Sequence, residues 1–366
     1  ARETRKQHLD SITKTFRRGR GSIRNMKLKS LDVTISKDEV EQFILHHKPR
    51  TSVLNRQNVT SAIYLFIVLI VLIVITPILS TSVAVFFVMM VLLITVIIIG
   101  IVAYFQERKK LYGEFELALR LEKLARDNGW NYGYKVHEKL HNVATLFNRG
   151  RNHVYTNVLT APNFQVGLCS FEIESGLVSI TKNFKLFRNR QELSHGYMVM
   201  PLERALPHML LDSKSNNLKF FGFETSNMPA SFKRDQVVSL EGDFDKYYTL
   251  YAPADYGVDV RYVFTPDLMS FLIEESDSTD IEIVDNNMFV YFGKFNIESV
   301  AFWHRVDRLT TVIGEKLVGR AGRYDDDRTV DGSVAKQGVR LRKGLPIVTI
   351  IVVIVWIVLK FLGSTG

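Results

Sequence analysis

The sequence predicts a membrane-anchored α+β protein, and three observations carry that prediction. Two uncharged apolar runs, residues 62–79 and 83–105, stand back to back. From Trp130 to about Ile297 the chain breaks into short β-prone runs separated by turns. Helical periodicity then returns over residues 296–317, ahead of a third apolar run at 346–362. The expected architecture is therefore a multi-pass membrane protein with an N-terminal transmembrane helical hairpin, an antiparallel-sheet soluble domain with flanking helices, and a C-terminal transmembrane helix. Its segments are a basic cytoplasmic arm (1–61), the hairpin (62–105), a helical stalk (106–129), a cytoplasmic α+β domain (130–318), a flexible linker (319–345) and the C-terminal span (346–363).

The first two runs are close to the roughly 20 apolar residues that a helix needs to cross a bilayer core. Between them lies TPILSTS, residues 76–82, where Pro77 and small hydroxyl side chains break the helix and allow reversal. The third run is shorter and carries Trp356 and Lys360 near its far end. Both suit an interface, since the lysine stem stays in hydrocarbon while its ammonium reaches the headgroups. A buried core element is the alternative for this run.

Charge placement predicts orientation. Residues 1–61 hold 14 Lys or Arg against 6 Asp or Glu, Arg108, Lys109 and Lys110 follow the second run, and Arg340, Arg342 and Lys343 precede the third. Cationic flanks stay on the cytoplasmic side, so the expected location is the inner (plasma) membrane, with the N terminus and main domain cytoplasmic. Residues 106–345 balance 32 basic against 32 acidic side chains, so the net charge of +9 describes the arm and not the domain. That balance argues against nucleic acid as a partner of the domain. Cys169 is the sole cysteine, which excludes an intrachain disulfide.

Within the arm, Lys14, Arg17, Arg18, Arg20, Arg24, Lys27 and Lys29 are candidate membrane-surface residues. Anionic lipid headgroups attract such a cluster at about 1 kcal/mol per basic residue. A topology signal without a partner, or a nucleic-acid tract built on RRGRG, are the other readings of the same charges. Ser36 and Glu39 have capping-box spacing and open a short helix that stops before Pro49. The neighbouring His46 and His47 point in different directions on a helix and have no further ligand at metal spacing.

The stalk keeps a helical period through Leu111, Phe115, Ala118 and Leu119, which suits packing on the domain or pairing as a coiled coil. Gly129 and Trp130 end it. Expected strands follow at 153–159, 164–174, 177–187, 196–200, 217–224, 236–240, 247–251, 281–284 and 288–292, the last two joined as a hairpin by Asp285-Asn286-Asn287. Thr265-Pro266-Asp267 opens a helix with proline at its first position. The stretch 296–317 forms another through Val300, Trp303, Val306, Leu309 and Ile313.

The stretch LEGDFDKYYTLYAPADYGVDVRYVFTPDLMSFL (240–272), with IEIVDNNMFVYF (281–292), resembles a family of uncharacterised bacterial membrane proteins. NGW (128–130) and NVLTAP (157–162) fit the opening of the same domain. The resemblance covers roughly residues 110–295. It implies paired N-terminal transmembrane helices followed by a domain of unknown function, and it supplies no catalytic or binding residues.

Motifs for nucleotide hydrolysis, dinucleotide binding, zinc proteolysis and serine hydrolysis do not occur in the sequence. Neither a cofactor nor a metal is expected. Glu241, Asp243 and Asp245 are the candidates for acid–base work, because a spacing of two aligns them on one side of an extended strand. A solvated turn is the plainer reading of the same residues. Counting a calcium loop from Asp327 places Gly338 where a bidentate Glu is required, so that match fails. His153, His195, His208 and His304 are scattered and read as structural or exposed. The aromatic stretches 220–223 and 247–251 suit either a partner surface or a core.

The functional expectation is a membrane-tethered, non-enzymatic cytoplasmic binding, scaffold or sensor module. Its expected partners are the lipid bilayer, an unidentified protein and anionic headgroups. The alternatives are an enzyme using the acidic cluster on a membrane-proximal substrate, and a lipid or nucleic-acid tether working through the arm.

Overall fold

The structure, a computed structural model, describes residues 26–47, 83–136, 143–148, 150–175, 189–220, 223–225, 232–277, 279–293 and 295–344. They divide into two compact units, one of residues 29–124 and one of residues 1–28 with 125–366. The expected first apolar run, its turn, the strand at 177–187 and the third apolar run lie outside the described residues.

The first unit is helical. Helix α1, Lys37–His47, begins with the expected capping box: the Glu39 amide donates to Ser36 Oγ at 3.3 Å and the Ser36 amide donates to Glu39 Oε2 at 3.1 Å. Helix α2, Val83–Asp127, runs without a break for 45 residues, about 68 Å at 1.5 Å per residue. Its N-terminal half presents Phe87, Val91, Ile94, Ile98 and Phe105 uncovered. Among the described residues this is the one helix long and apolar enough to cross a membrane.

The C-terminal half of α2 changes character. Phe115, Ala118, Leu119 and Leu121 are buried, and α1 packs on it with Phe43 edge-on to Phe115 at 6.1 Å. Tyr112 donates to the Lys37 carbonyl at 2.7 Å, and Lys123 reaches Glu39 at 2.8 Å. The arm therefore contributes a folded helix that covers the stalk, where the sequence suggested the domain or a coiled-coil partner.

The second unit takes in the chain from Ala125, just before α2 stops. Gly129 at φ +69° closes the helix, with the Gly129 amide on the Arg126 carbonyl and the Trp130 amide on the Ala125 carbonyl at 2.7 Å. This is the hydrogen-bond pattern of a Schellman cap, which needs the left-handed residue that glycine tolerates best.

Antiparallel strands follow: β1 (Asn131–Val136), β2 (Arg151–Thr160), β3 (Gln165–Ser175), β4 (Asn189–Ser213), β5 (Leu218–Phe220), β6 (Phe223–Thr225), β7 (Val237–Val238), β8 (Tyr248–Tyr251) and β9 (Thr279–Phe292). β5 and β6 make a separate two-stranded ribbon; the others form one sheet in the order β1-β2-β3-β4-β8-β7, with β9 on β4. β4 is its spine. Met198 pairs with both Val166 of β3 and Val290 of β9, and Leu210 pairs with both Tyr251 of β8 and Glu282 of β9. β9 thus takes one edge of β4, while β3 and β8 share the other at opposite ends.

The expected hairpin at Asp285-Asn286-Asn287 is not formed. β9 passes straight through these residues, and Asp285, at φ +53°, sits where the pairing with β4 slips. From Pro201↔Asn287 to Leu206↔Asp285, β4 advances five residues while β9 advances two. The left-handed signal is real, but it serves a bulge: β4 inserts extra residues between Pro201, opposite Asn287, and Leu206, opposite Asp285, and Pro201 has no amide to give to a regular ladder there. The bulge also inverts the alternation of side chains: Val284 before it and Phe289 and Tyr291 after it face the same core.

That core joins Tyr155, Cys169, Phe171, Tyr197 and Phe289 and is capped by Ala144, Leu146 and Phe147. Helices α3 (Phe244–Tyr247), α4 (Gly257–Val263), α5 (Pro266–Glu274) and α6 (Val300–Ile313) complete an α+β fold. Proline opens α5 as expected, although Thr265 Oγ1 bonds Asp267 instead of the backbone. α6 buries Phe302, Trp303, Val306, Leu309 and Ile313, and Trp303 stacks on Trp130 at 5.9 Å.

The stretch 319–344, expected as a flexible linker, is instead a strap folded on the unit. Its Ala321, Tyr324, Asp326, Ala335 and Leu341 are buried. Polar composition suggested solvation, but the polar groups find partners in the fold, as described next.

Candidate functional site

Buried carboxylates organise the polar interior of the sheet unit, and the two described first, Glu282 and Asp326, do not belong to the cluster that the sequence singled out. Glu282 of β9 is fully buried. Its Oε1 accepts from the Thr145 hydroxyl at 2.7 Å and from His208 Nε2 at 2.8 Å, and its Oε2 accepts from the Tyr291 hydroxyl at 2.6 Å and the Thr145 amide at 2.9 Å. Tyr291 reaches the same face as Glu282, nine residues away, because the Asp285 bulge reverses the strand's alternation.

His208 of β4 continues the chain of bonds. The Leu341 amide donates to its Nδ1 at 3.1 Å, so the ring proton sits on Nε2 and points to Glu282. The His208 amide in turn donates to the Gly338 carbonyl at 2.9 Å. Glu282 therefore ties together the 143–148 segment, β4, β9 and the strap. A carboxylate with four donors, closed from solvent, has no lone pair to offer a substrate. Beside it, burial and then the Glu282 charge raise the Tyr291 phenol well above its ordinary pKa.

Asp326, on the strap, is the second centre. It accepts from Tyr256 Oη at 2.7 Å, the Ala335 amide at 2.9 Å and Arg328 Nη1 at 3.0 Å. Arg328 lies over the Tyr256 ring at 4.0 Å and also pairs with Asp259 at 3.1 Å. Burial opposes ionisation of Asp326, yet these donors outweigh it and hold the carboxyl down at about 2. Burial, followed by the bond to Asp259, raises the Tyr324 phenol. Strap and α4 are thus joined by a closed salt-bridge network.

The sequence-selected acids are arranged differently. Residues 241–245 form a turn that leads into α3 rather than a strand, so their spacing of two does not align them. Asp243 pairs with Lys246 at the surface. Asp245 accepts from the Ser239 hydroxyl and the Leu240 amide, which closes the turn. Gly242 at φ +68° supplies the left-handed residue that this turn requires.

Of the arm cations, Lys14, Arg17, Arg18, Arg20 and Arg24 lie outside the described residues. Lys27 and Lys29 are exposed, and the Lys27 backbone is held by the Asn128 side chain at 2.8 and 3.0 Å. No group of three or more His, Cys, Asp or Glu that could hold a metal occurs among the described residues. Cys169 is buried, and desolvation pushes its thiol up to about 12, which removes it as a nucleophile near neutrality. His153 and His195 flank Phe171 at 5.6 and 5.7 Å, the first tilted and the second stacked on its ring.

Sequence reading missed Glu282 and Asp326 because their partners lie far along the chain: Thr145 and Glu282 are 137 residues apart and Tyr256 and Asp326 are 70 apart. One local signal was present. Glu282 sits between apolar neighbours, Ile281 and Ile283, and a buried acid of that kind demands partners.

No protein-family model matches the chain, and no curated protein matches it significantly. Among solved structures it is similar to the crystal structure of the mycobacterial trehalose monomycolate transport factor A, TtfA, at 11% identity and a TM-score of 0.35, over 55% of this chain and 96% of that one.

Proposed function

We propose that the chain is a membrane-tethered, non-enzymatic module whose sheet domain binds a protein partner at the cytoplasmic face of the membrane. One observation carries the reading: α2 leaves large apolar side chains uncovered along its N-terminal half, then continues without interruption into a packed stalk. An uncovered apolar surface of that length calls for lipid as its solvent. The closed bonding of Glu282 and Asp326 supports a binding role over catalysis, since both acids are spent on holding the fold together. In this reading 62–105 is the hairpin, 346–363 is a further span, and the plan is that of the uncharacterised bacterial family that residues 240–272 and 281–292 resemble.

The test is topology mapping with a membrane-impermeant maleimide on single cysteines introduced by Ser80→Cys and Val330→Cys. Val330 is fully exposed, and the native Cys169 is buried. Labelling of position 80 from outside intact cells, and of position 330 after permeabilisation alone, is the expected result. Labelling of position 330 in intact cells would overturn the reading. A photocrosslinker at position 330 then reports the partner protein.

A further inference from the structure

We propose that Lys233, Arg234 and Lys343 form a docking strip for anionic phospholipid headgroups at the root of the third apolar run. The inference rests on the reading of residues 346–363 as a membrane span and goes beyond the arm cluster, because tertiary structure assembles this strip from segments over a hundred residues apart.

Phe232 and Lys343 form an antiparallel bridge, and the Lys233 amide donates to the Arg342 carbonyl at 3.2 Å. The buried Gln236 side chain grips the same residue from both sides, donating to the Arg342 carbonyl at 2.8 Å and accepting from its amide at 2.7 Å. The Ala252 amide on the Gln236 carbonyl, at 2.8 Å, joins this clamp to the chain just beyond β8. The bases are thus presented on a fixed backbone.

Five cations converge here, at positions 233, 234, 340, 342 and 343. Arg340 is spent on Asp285 at 2.7 and 3.0 Å, and Arg342 on Asp235. Lys233, Arg234 and Lys343 are exposed and have no acidic partner among the described residues. Subtracting the two acids from the five cations leaves a local charge of +3 within a region, residues 106–345, whose total is neutral. Val237, 47% exposed, adds a shallow apolar contact beside them.

Location selects the ligand. Pro346 follows Lys343 by three residues, at most about 10 Å of extended chain. With the run inserted, the three charges sit within about one Debye length of the headgroups, where each adds about 1 kcal/mol, or about fivefold in partitioning, and three together on the order of a hundredfold. A nucleic acid would need a longer basic track than the balanced domain offers.

The experiment uses the full-length protein in vesicles, with a fluorophore on Val237→Cys and a headgroup-attached nitroxide quencher. Strong quenching in phosphatidylglycerol-containing vesicles is expected. It should fall at least threefold in pure phosphatidylcholine and in the Lys233→Gln/Arg234→Gln/Lys343→Gln variant. The charge-retaining Lys233→Arg/Lys343→Arg variant should keep it, which separates docking from damage to the fold. A second fluorophore on Ile354→Cys, read with an acyl-chain quencher, reports insertion of the third run. A water-exposed label at 354 overturns the span and the docking that depends on it. A buried label at 354, with quenching at 237 indifferent to lipid charge or to the triple change, overturns the docking alone.

Discussion

Glu282 and the acidic turn at 241–245 are both carboxylate sites, yet they do opposite kinds of work. At Glu282 one side chain takes four donors from three separate segments and is closed from water. In the turn each described acid bond is local, reaching no further than six residues along the chain. The acid that ties distant segments together is therefore the one set between apolar neighbours on β9. The acids that look like a site in sequence are a solvated bend, where water replaces any lost bond at little cost.

The sharpest way to break this contrast is at its strong end. Glu282→Ala would strand the His208 ring, the Tyr291 hydroxyl and the Thr145 amide in a dry core, at a cost of about 3–5 kcal/mol. Urea denaturation followed by the fluorescence of the stacked Trp130 and Trp303 reads it, and an unchanged midpoint would show that the centre is not closed. Arg328→Ala removes the cation that faces both Asp259 and Asp326, and a loss of about 2–3 kcal/mol is expected, with faster proteolysis of the strap.

Acid titration approaches the same network without mutation. The Asp326 carboxyl is held at about 2 in the folded chain against roughly 3.9 unfolded, so its contribution is complete above about pH 4. It is lost as pH falls from about 4 through about 2, a change on the order of 2 kcal/mol. Asp326→Asn should flatten that part of the stability profile; an unaltered acid limb would assign it to other carboxylates. At the weak end, Asp245→Asn should cost about 1 kcal/mol through the bonds from Ser239 and Leu240. Glu241→Gln and Asp243→Asn should leave the melting temperature unchanged within error. A large loss from that pair would erase the distinction between the two sites.

The same division runs through the whole fold. The capping box at Ser36, the proline-opened helix at Pro266 and the apolar stripe of α6 were legible because each signal and its effect lie within one or two helical turns. Strands β2, β3 and β8 were legible from local β-propensity. β1, with its Gly133 and Lys135, reads weakly as a strand and takes its conformation from pairing with β2. The Asp285 signal was legible as a left-handed position, but whether such a position turns the chain or bulges it depends on the partner strand. Here β4 carries Leu206 opposite it, inserts extra residues after Pro201 and runs on.

By itself, then, the sequence determined the α+β class, the long apolar helix, the balanced charge of the domain and the caps that start and stop its helices. These follow from composition and from periodicities of two or 3.6 residues, which act between near neighbours. Tertiary structure alone decided that α1 covers the stalk, that residues 319–344 are a strap and not a linker, and that Thr145, His208, Glu282, Tyr291 and Leu341 meet. A buried polar group announces only that it needs partners; which distant residues supply them is set by strand order and register, and these exist only once the chain has folded.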